Sequence, residues 1–372
     1  MDFSKLDRYM EQMTLRGVPA CELSVTRDGK CVYRKCVGYS DPEGKYPTSP
    51  NDIYWIYSAT KVLTCIAALR LIEEGKLSLS DPVSKFIPEF AHPMIKHKDG
   101  SLTEAKNILT VEHLFTMTGG MTYDFPKNID SLSDRSTVGI VREMAKAPLV
   151  FEPGTRYKYS LCHDVLGAVV ETVSGKRFSD YLNEIIFKPL GIRDMGFFPT
   201  EEQQARVSTQ YVYRNGIGKS VPLDSNKRGN LSELYESGGG GLFATVDEYM
   251  KLITVIACGG TTPDGYTLLR PETIALAQVN RLCDDAWDDF VNHRLFGYGW
   301  GLCGRVHVDP IRSGSRTPVG EFGWDGMAGA FVLMDTENRI ALYYGQHVIH
   351  CGIGAYSAHH TIKNMVYEAL GL

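Results

Sequence analysis

The chain has 372 residues, 43% apolar and 22% charged, which is the balance of an ordinary globular protein with length for two folding units and a large core. Its 39 Lys and Arg against 44 Asp and Glu give a net charge of -5. The basic residues are scattered, which argues against a nucleic-acid partner or an anionic membrane surface.

The opening stretch, MDFSKLDRYMEQMTLRG, alternates charged and apolar residues and predicts an amphipathic helix. It lacks the unbroken apolar core of a signal peptide, and no later run reaches the roughly 18 apolar residues of a membrane span. With Met1 as the natural start, the expected location is cytoplasmic. The nine cysteines are widely spread and odd in number, as expected of reduced core thiols; Cys31 and Cys36 lack the second pair a zinc site needs.

Next come two β-rich runs joined by Asp28-Gly29, a hairpin signal. An apolar helix follows from about Ser58 to Glu74, stopped by Gly75. Residues 80–235 read as helical pieces in long loops: one from Thr110, one over LGAVVETVSG, one over FSDYLNEIIFKPLG. Strand character is weak there and returns in GYGWGLCGRVHVD, GAFVLMDTENR and IALYYGQHVI, before a last helix at roughly Ala355 to Leu370. No repeat is visible. Thr245 and Glu248 fit a capping box after the glycine run Gly238 to Gly241. With strands at both ends and helices between, the pattern predicts an α+β fold. Residues 1–79 and 236–372 form its sheet domain, and 80–235 are inserted as a mainly helical domain.

Within YWIYSATKVLTCIAALRL, residues 54–71, one lysine stands three places after a serine. Residues three apart on a helix share a face, so the Lys61 ammonium and the Ser58 hydroxyl can meet. Val62, Leu63, Cys65, Ile66 and Ala67 surround the lysine, which marks a helix buried nearly all round. A lysine denied water exchanges its proton more readily, and a neighbouring hydroxyl is the natural partner. At the helix N-terminus the Ser58 amide is also free to stabilise an oxyanion. Ser-x-x-Lys is short, and a chain of this size supplies about one match by chance. No Gly-x-Ser-x-Gly nucleophile elbow competes with it.

With its flanks, this stretch resembles the serine β-lactamase and penicillin-binding superfamily. It looks like the branch of class C β-lactamases and D-alanyl-D-alanine carboxypeptidases, and most like the family VIII carboxylesterases. YSATKVLT, LTVEHLFTMTGGM, FEPGTRYKYSLCHDVLGAVVETVSG, IFKPLGIRDMGF, SGGGGLFATVDEYMKL and FGWDGMAGAF follow in family order over nearly the whole chain. The resemblance implies an antiparallel β-sheet flanked by helices, with the active site between sheet and inserted domain. It implies Ser58 as the acylated nucleophile, Lys61 as its proton partner, and Tyr159 as a second base whose phenolate the Lys61 ammonium favours. The backbone N–H groups of Ser58 and Met327 would form the oxyanion hole, with Gly326 allowing close approach.

Two departures stand out. The usual Tyr-x-Asn reads Tyr159-Ser160-Leu161, so an apolar side chain replaces the amide that holds a substrate amide. The third motif, usually opening with Lys or His, reads Trp324-Asp325-Gly326, so the cation for a substrate carboxylate is missing there. Leu161, Trp324, Asp325 and Gly326 are therefore expected to line the substrate pocket. The glycine run reads as a tight backbone passage beside the site rather than a phosphate loop. His347 reads as a hydrogen-bonded structural residue, and His163 with Asp164 as the start of a packed helix.

The expected function is a serine hydrolase acting through an acyl-enzyme: a carboxylesterase on small or medium acyl esters, with weak β-lactam hydrolysis as a side activity. The alternatives are a β-lactamase or D-amino-acid peptidase or amidase, an acyltransferase, and a ligand sensor that is acylated once. A small-molecule ester or amide is the expected partner, with no metal or organic cofactor. Nothing in the sequence sets an oligomeric state.

Overall fold

In the computed structural model, which describes residues 1–225, 231–291, 295–351 and 357–372, the Asp28-Gly29 pair turns the first two strands back on each other. Both residues take positive φ, 51° and 76°, the backbone of a two-residue turn that matches strand twist. The strands are β1, Ala20–Arg27, and β2, Lys30–Gly38. β1 lies inside a seven-stranded sheet because its other edge pairs with the C-terminal strand Ile340–Gln346, Cys21 opposite Gln346. From there the sheet continues through Phe331–Asp335, Phe322–Gly323, Gly304–His307 and Tyr298–Gly301, each pair antiparallel. The two ends of the chain thus build one sheet.

Both faces of that sheet are covered, which explains why β1 reads as a run of apolar and buried polar residues. On one face lie α1, Ser4–Gln12, and the final helix Ala358–Leu370, packing Leu6, Met10, Ile362 and Val366 against Leu23, Val25 and Leu342. On the other lies the helix Val246–Ala257, whose Tyr249 ring stacks on Tyr343 at 4.6 Å and whose Thr254 hydroxyl meets that of Thr26 at 2.9 Å. α2, Thr60–Glu73, is buried from Thr60 to Leu69, as an all-round apolar helix should be, and ends where Gly75 takes a φ of 67°. It packs against α5, Cys162–Ser174, among the helices that precede the sheet's remaining strands.

Several expectations shift. Ser58 lies not in the α-helix but in a 3₁₀ turn, Tyr57–Ala59, one step before it. Segment 80–235 holds β-structure that its sequence hid: the hairpins Met94–Lys96 with Leu102–Glu104 and Tyr211–Arg214 with Lys219–Pro222. Their strands are only three and four residues long, too short for alternation to register. The helix from Thr110 is α3, Val111–Phe115, and its capping box pairs Thr110 with His113. At Thr245 only the forward half of a box forms, its hydroxyl accepting from the Glu248 N–H at 3.2 Å. The expected start of the final helix, at residues 355 and 356, lies outside the described residues, and the helix is described from Ala358. Of the nine cysteines, Cys31 and Cys283 are exposed rather than in the core. Among the described residues no helix is long and apolar enough to cross a membrane, and no His, Cys, Asp and Glu cluster fits a metal ion.

Trp300 joins sheet to helices. It is fully buried on the edge strand, its indole N–H donates to the Phe115 carbonyl of α3 at 2.8 Å, and its ring meets those of Tyr157, Phe290 and Trp324. Trp300→Ala is expected to lower unfolding free energy by about 3–5 kcal/mol, the usual cost of emptying an aromatic core position. Urea denaturation followed by circular dichroism checks it.

Candidate active site

The turn that carries Ser58 is held in an uncommon conformation. Tyr57, immediately before it, has a φ of 47°, a left-handed backbone that costs a bulky residue free energy and marks sites where geometry outweighs stability. Its neighbours impose it. The Tyr57 hydroxyl donates to the Gln210 side chain at 2.6 Å, the Ile56 N–H donates to Leu242 at 3.1 Å, and the Tyr249 hydroxyl donates to the Ala59 carbonyl at 2.8 Å.

One turn on, Lys61 is 2% exposed. Its ammonium donates to the Gly239 carbonyl at 2.5 Å and to the Ser58 hydroxyl at 3.3 Å. It also lies over the Tyr159 ring, 4.7 Å from the centroid, so a negative ring face completes its surroundings. The glycine run supplies that carbonyl, and close packing explains why it must be glycine. A Cβ on Gly238 would stand 2.5 Å from the His163 carbonyl, one on Gly239 2.2 Å from the Asp164 carboxylate, and one on Gly241 2.7 Å from the Phe197 ring. Thr64 donates to the Gly238 carbonyl at 2.7 Å and the Leu242 N–H donates to the Thr60 hydroxyl at 3.1 Å, clipping the run along α2. Asp164, fully buried, accepts from the Tyr235 and Ser237 hydroxyls, both at 2.6 Å, and so braces the run from behind.

Tyr159 is half-buried beside the lysine. It accepts a hydrogen bond from the Trp324 indole at 3.1 Å and stacks on Tyr123 at 5.7 Å. Burial pushes its phenol up from the ordinary tyrosine value, and the bonds with Ser58 and Trp324 only partly oppose this. Burial thus works against the expected phenolate, and Lys61 Nζ lies over the ring face, 4.7 Å from its centroid.

The third-motif loop comes in from the sheet. A Cβ on Gly326 would lie 2.4 Å from the Ile56 carbonyl, so glycine lets this loop touch the backbone that leads into Ser58. The loop is closed by Gly326 N–H to Ala330 and Gly329 N–H to Gly326, both 2.8 Å. The Met327 amide bonds no carbonyl among the described residues. Its side chain is exposed. Trp324 is half-buried, and Asp325 pairs with Arg305 at 2.7 Å.

Ser58, Tyr159, Trp324, Asp325, Gly326 and Met327 thus line one cleft of about 730 Å³, with Lys61 just beneath its floor. Leu161 does not join them. It is 1% exposed and packs in the core, because the chain turns into α5 there and carries the side chain inward. The cleft also holds Tyr123, Tyr157 and Phe290, which sequence reasoning did not single out. They are isolated aromatics in a chain with 20 tyrosines and 15 phenylalanines, and only the fold gathers them. Gly239 escaped as well, since its contribution is a carbonyl and not a side chain. His163 faces Cys65 at 3.2 Å, and burial, with Lys61 nearby, holds it well below the ordinary histidine value.

The beta-lactamase family profile matches residues 6–345. The chain belongs to the beta-lactamase family, and it is a hydrolase of that family. It is 30% identical over 348 residues to esterase EstB of Burkholderia gladioli, covering 87% of this chain and 83% of that protein. It is 29% identical to the lovastatin esterase of Penicillium rubens, covering 91% and 84%. Among solved structures, EstCE1, described as a hydrolase with promiscuous acyltransferase activity, superposes with a TM-score of 0.81 at 25% identity over 98% of both chains. Unliganded simvastatin synthase (LovD) of Aspergillus terreus shares the fold, with a TM-score of 0.83 at 21% identity over 99% of both.

Two outcomes test this geometry. His347 accepts from the Trp55 N–H at 3.3 Å through Nε2, so Nδ1 carries the proton and donates to the Ser208 carbonyl at 2.8 Å. Burial takes its pKa down to about 4. Because the folded value lies below the ordinary 6.5, the neutral ring stabilises the fold fully above pH 6.5 and loses that contribution as pH falls toward 4. The loss amounts to on the order of 3 kcal/mol. Urea midpoints at pH 7 and 4.5 are expected to differ less in His347→Gln than in the wild type. Gly239→Ala, which must push its carbonyl off Lys61, is expected to cut reaction with a serine-directed fluorophosphonate by at least about 100-fold while the circular dichroism spectrum is kept.

Proposed function

We propose that this chain is a carboxylesterase that acts through an acyl-enzyme on Ser58, taking small or medium neutral acyl esters. The observation that carries the reading is the Lys61 ammonium held between the Gly239 carbonyl and the Ser58 hydroxyl, at the floor of an aromatic cleft. In this reading Lys61 first releases its extra proton to solvent and reacts as the free amine: Ser58 Oγ attacks the ester carbonyl while its proton passes to Lys61 Nζ, which becomes the ammonium again. The Ser58 and Met327 amides hold the oxyanion. Tyr159, kept as a neutral phenol by burial, serves as the donor that protonates the departing alkoxide and regains its proton through Lys61. Water then attacks the acyl-enzyme by the same route reversed and releases the acid. The names of EstB and the lovastatin esterase support ester over lactam, as does the absence of a cation in Trp324-Asp325-Gly326.

Acyl transfer is the second reading, favoured by the activity named for EstCE1 and by a cleft roomy enough for an alcohol or amine acceptor beside the acyl group.

A chain-length panel of esters with intact-mass detection tests the proposal. Wild type is expected to gain one acyl mass and turn over; Ser58→Ala is expected to do neither, and esterase activity kept in Ser58→Ala would remove the reading. Lys61→Met is expected to lose acylation with every ester. Tyr159→Phe separates by leaving group: 4-nitrophenyl esters, whose phenolate leaves unprotonated, are expected to fall about tenfold, and alkyl esters by at least about a thousandfold. Equal losses with both ester types would instead make Tyr159 a base that takes the Ser58 proton. Added alcohol acceptors, with products partitioned by chromatography, measure the transfer branch.

A further inference from the structure

Behind the third-motif loop lies a cluster of buried charges that the reaction above does not use. Arg305, 2% exposed on the strand Gly304–His307, donates Nη1 to Asp325 Oδ1 at 2.7 Å and Nη2 to the Val332 carbonyl at 2.8 Å, with Glu321 Oε1 at 3.3 Å. Lys363 Nζ stands 3.8 Å from Glu321 Oε2, and His359 Nδ1 stands 3.8 Å from Asp325 Oδ2. Arg305, His359 and Lys363 line a second cavity of about 400 Å³. Asp325 borders this cavity and the Ser58 cleft alike, so its side chain is part of the wall between them.

The charges balance as they stand: Arg305 and Lys363 against Glu321 and Asp325. Burial favours a neutral Asp325, but Arg305 and His359 hold its carboxyl below the ordinary carboxylate value, so the group bordering the cleft is a carboxylate paired with the guanidinium behind it. A cation suited to bidentate carboxylate recognition therefore lies one layer behind the cleft, with its seat filled from within the chain. A substrate bearing its own carboxylate meets a like charge, and the guanidinium that would receive it is taken.

We propose that Asp325 is a specificity-determining residue: by filling the Arg305 seat with its own carboxylate, it excludes carboxylate-bearing substrates from the Ser58 cleft and leaves neutral esters as the substrate class. The inference rests on the acyl-enzyme reading for its kinetic test and is independent of it for its binding test. Removing the Asp325 side chain leaves Arg305 bonded to Glu321 and Val332, so the cluster keeps most of its hydrogen bonds. It also opens a carboxylate-sized gap from the cleft to an unbalanced cation.

The experiment uses Asp325→Ala, the isosteric Asp325→Asn and the charge-keeping Asp325→Glu, each checked for folding by thermal melting. Esters are matched in length, neutral or ending in a carboxylate, with the carboxylate on the acyl side in one set and the alcohol side in the other. The ratio of kcat/KM for anionic over neutral esters is expected to rise at least about tenfold in Asp325→Ala, less in Asp325→Asn, and not in Asp325→Glu. In parallel, glutarate titrated by calorimetry is expected to bind Asp325→Ala and not the wild type. A parallel fall of both ester classes in Asp325→Ala and Asp325→Asn, with no glutarate bound, would make Asp325 merely structural and overturn the proposal. Should the wild type hydrolyse no ester, the acyl-enzyme reading falls, and glutarate binding alone then decides this inference.

Discussion

The ammonium of Lys61 must be kept out of water without being left alone, and much of the surrounding structure follows from that. An unpartnered buried cation costs several kcal/mol, so each water removed needs a substitute. The substitutes are a carbonyl at 2.5 Å, a hydroxyl at 3.3 Å and the face of a phenol ring. They come from three distant parts of the chain, Gly239, Ser58 and Tyr159. Bringing a backbone carbonyl this close to a helix requires a strand of chain with no side chains in the way. The clashes that a Cβ would meet at Gly238, Gly239 and Gly241 show how little room remains. Asp164 then fixes the run from the other side through two hydroxyls.

A second constraint ties the sheet to this arrangement. The loop 324–330 touches the turn of Ser58 through Gly326, and Trp324 reaches Tyr159 through its indole N–H. Trp300 meets Trp324 edge to face, with ring centroids 4.4 Å apart, while bonding to α3, so the aromatic wall is continuous with the core. Such a wall does two things at once. It strengthens the electrostatic contacts beneath it by excluding solvent, and it keeps the phenol of Tyr159 neutral. The phenol's proposed part as donor and the apolar character of the cleft therefore rest on one physical feature, not two.

The sequence exposed those features whose signal is local. Asp28-Gly29 set its turn by residue chemistry, α2 announced burial by carrying no polar face, and Ser58 with Lys61 followed from helix spacing. The antiparallel sheet built from both ends was legible because its strands alternate or run apolar over several residues. What stayed hidden depends on contacts between distant segments. Gly239 acts through a carbonyl, which has no letter in the sequence. Leu161 follows Tyr159 by two residues yet turns inward, because α5 begins there and carries its side chain into the core. The strained φ of Tyr57 is imposed by Gln210 and Leu242, far along the chain.

The departures at the second and third motifs become intelligible together once placed in space. Leu161 removes an amide from the cleft by leaving it, and Trp324 puts a ring where a cation is expected. Neither change touches the groups proposed to break the bond: Ser58, Lys61, Tyr159 and the two amides. Ser58, Lys61 and Tyr159 lie on the turn before α2, on α2 and on the loop before α5, whereas Trp324 and Asp325 lie on the loop from the sheet that also carries the Met327 amide. Substitution on the sheet edge can therefore change what enters the cleft without disturbing the ammonium below. Arg305 makes the point most sharply. Its charge is satisfied by Asp325, Glu321 and a carbonyl, so it faces its own chain and not the cleft. On the proposal above, one carboxylate on one loop thereby decides whether that cation is available to an incoming ester.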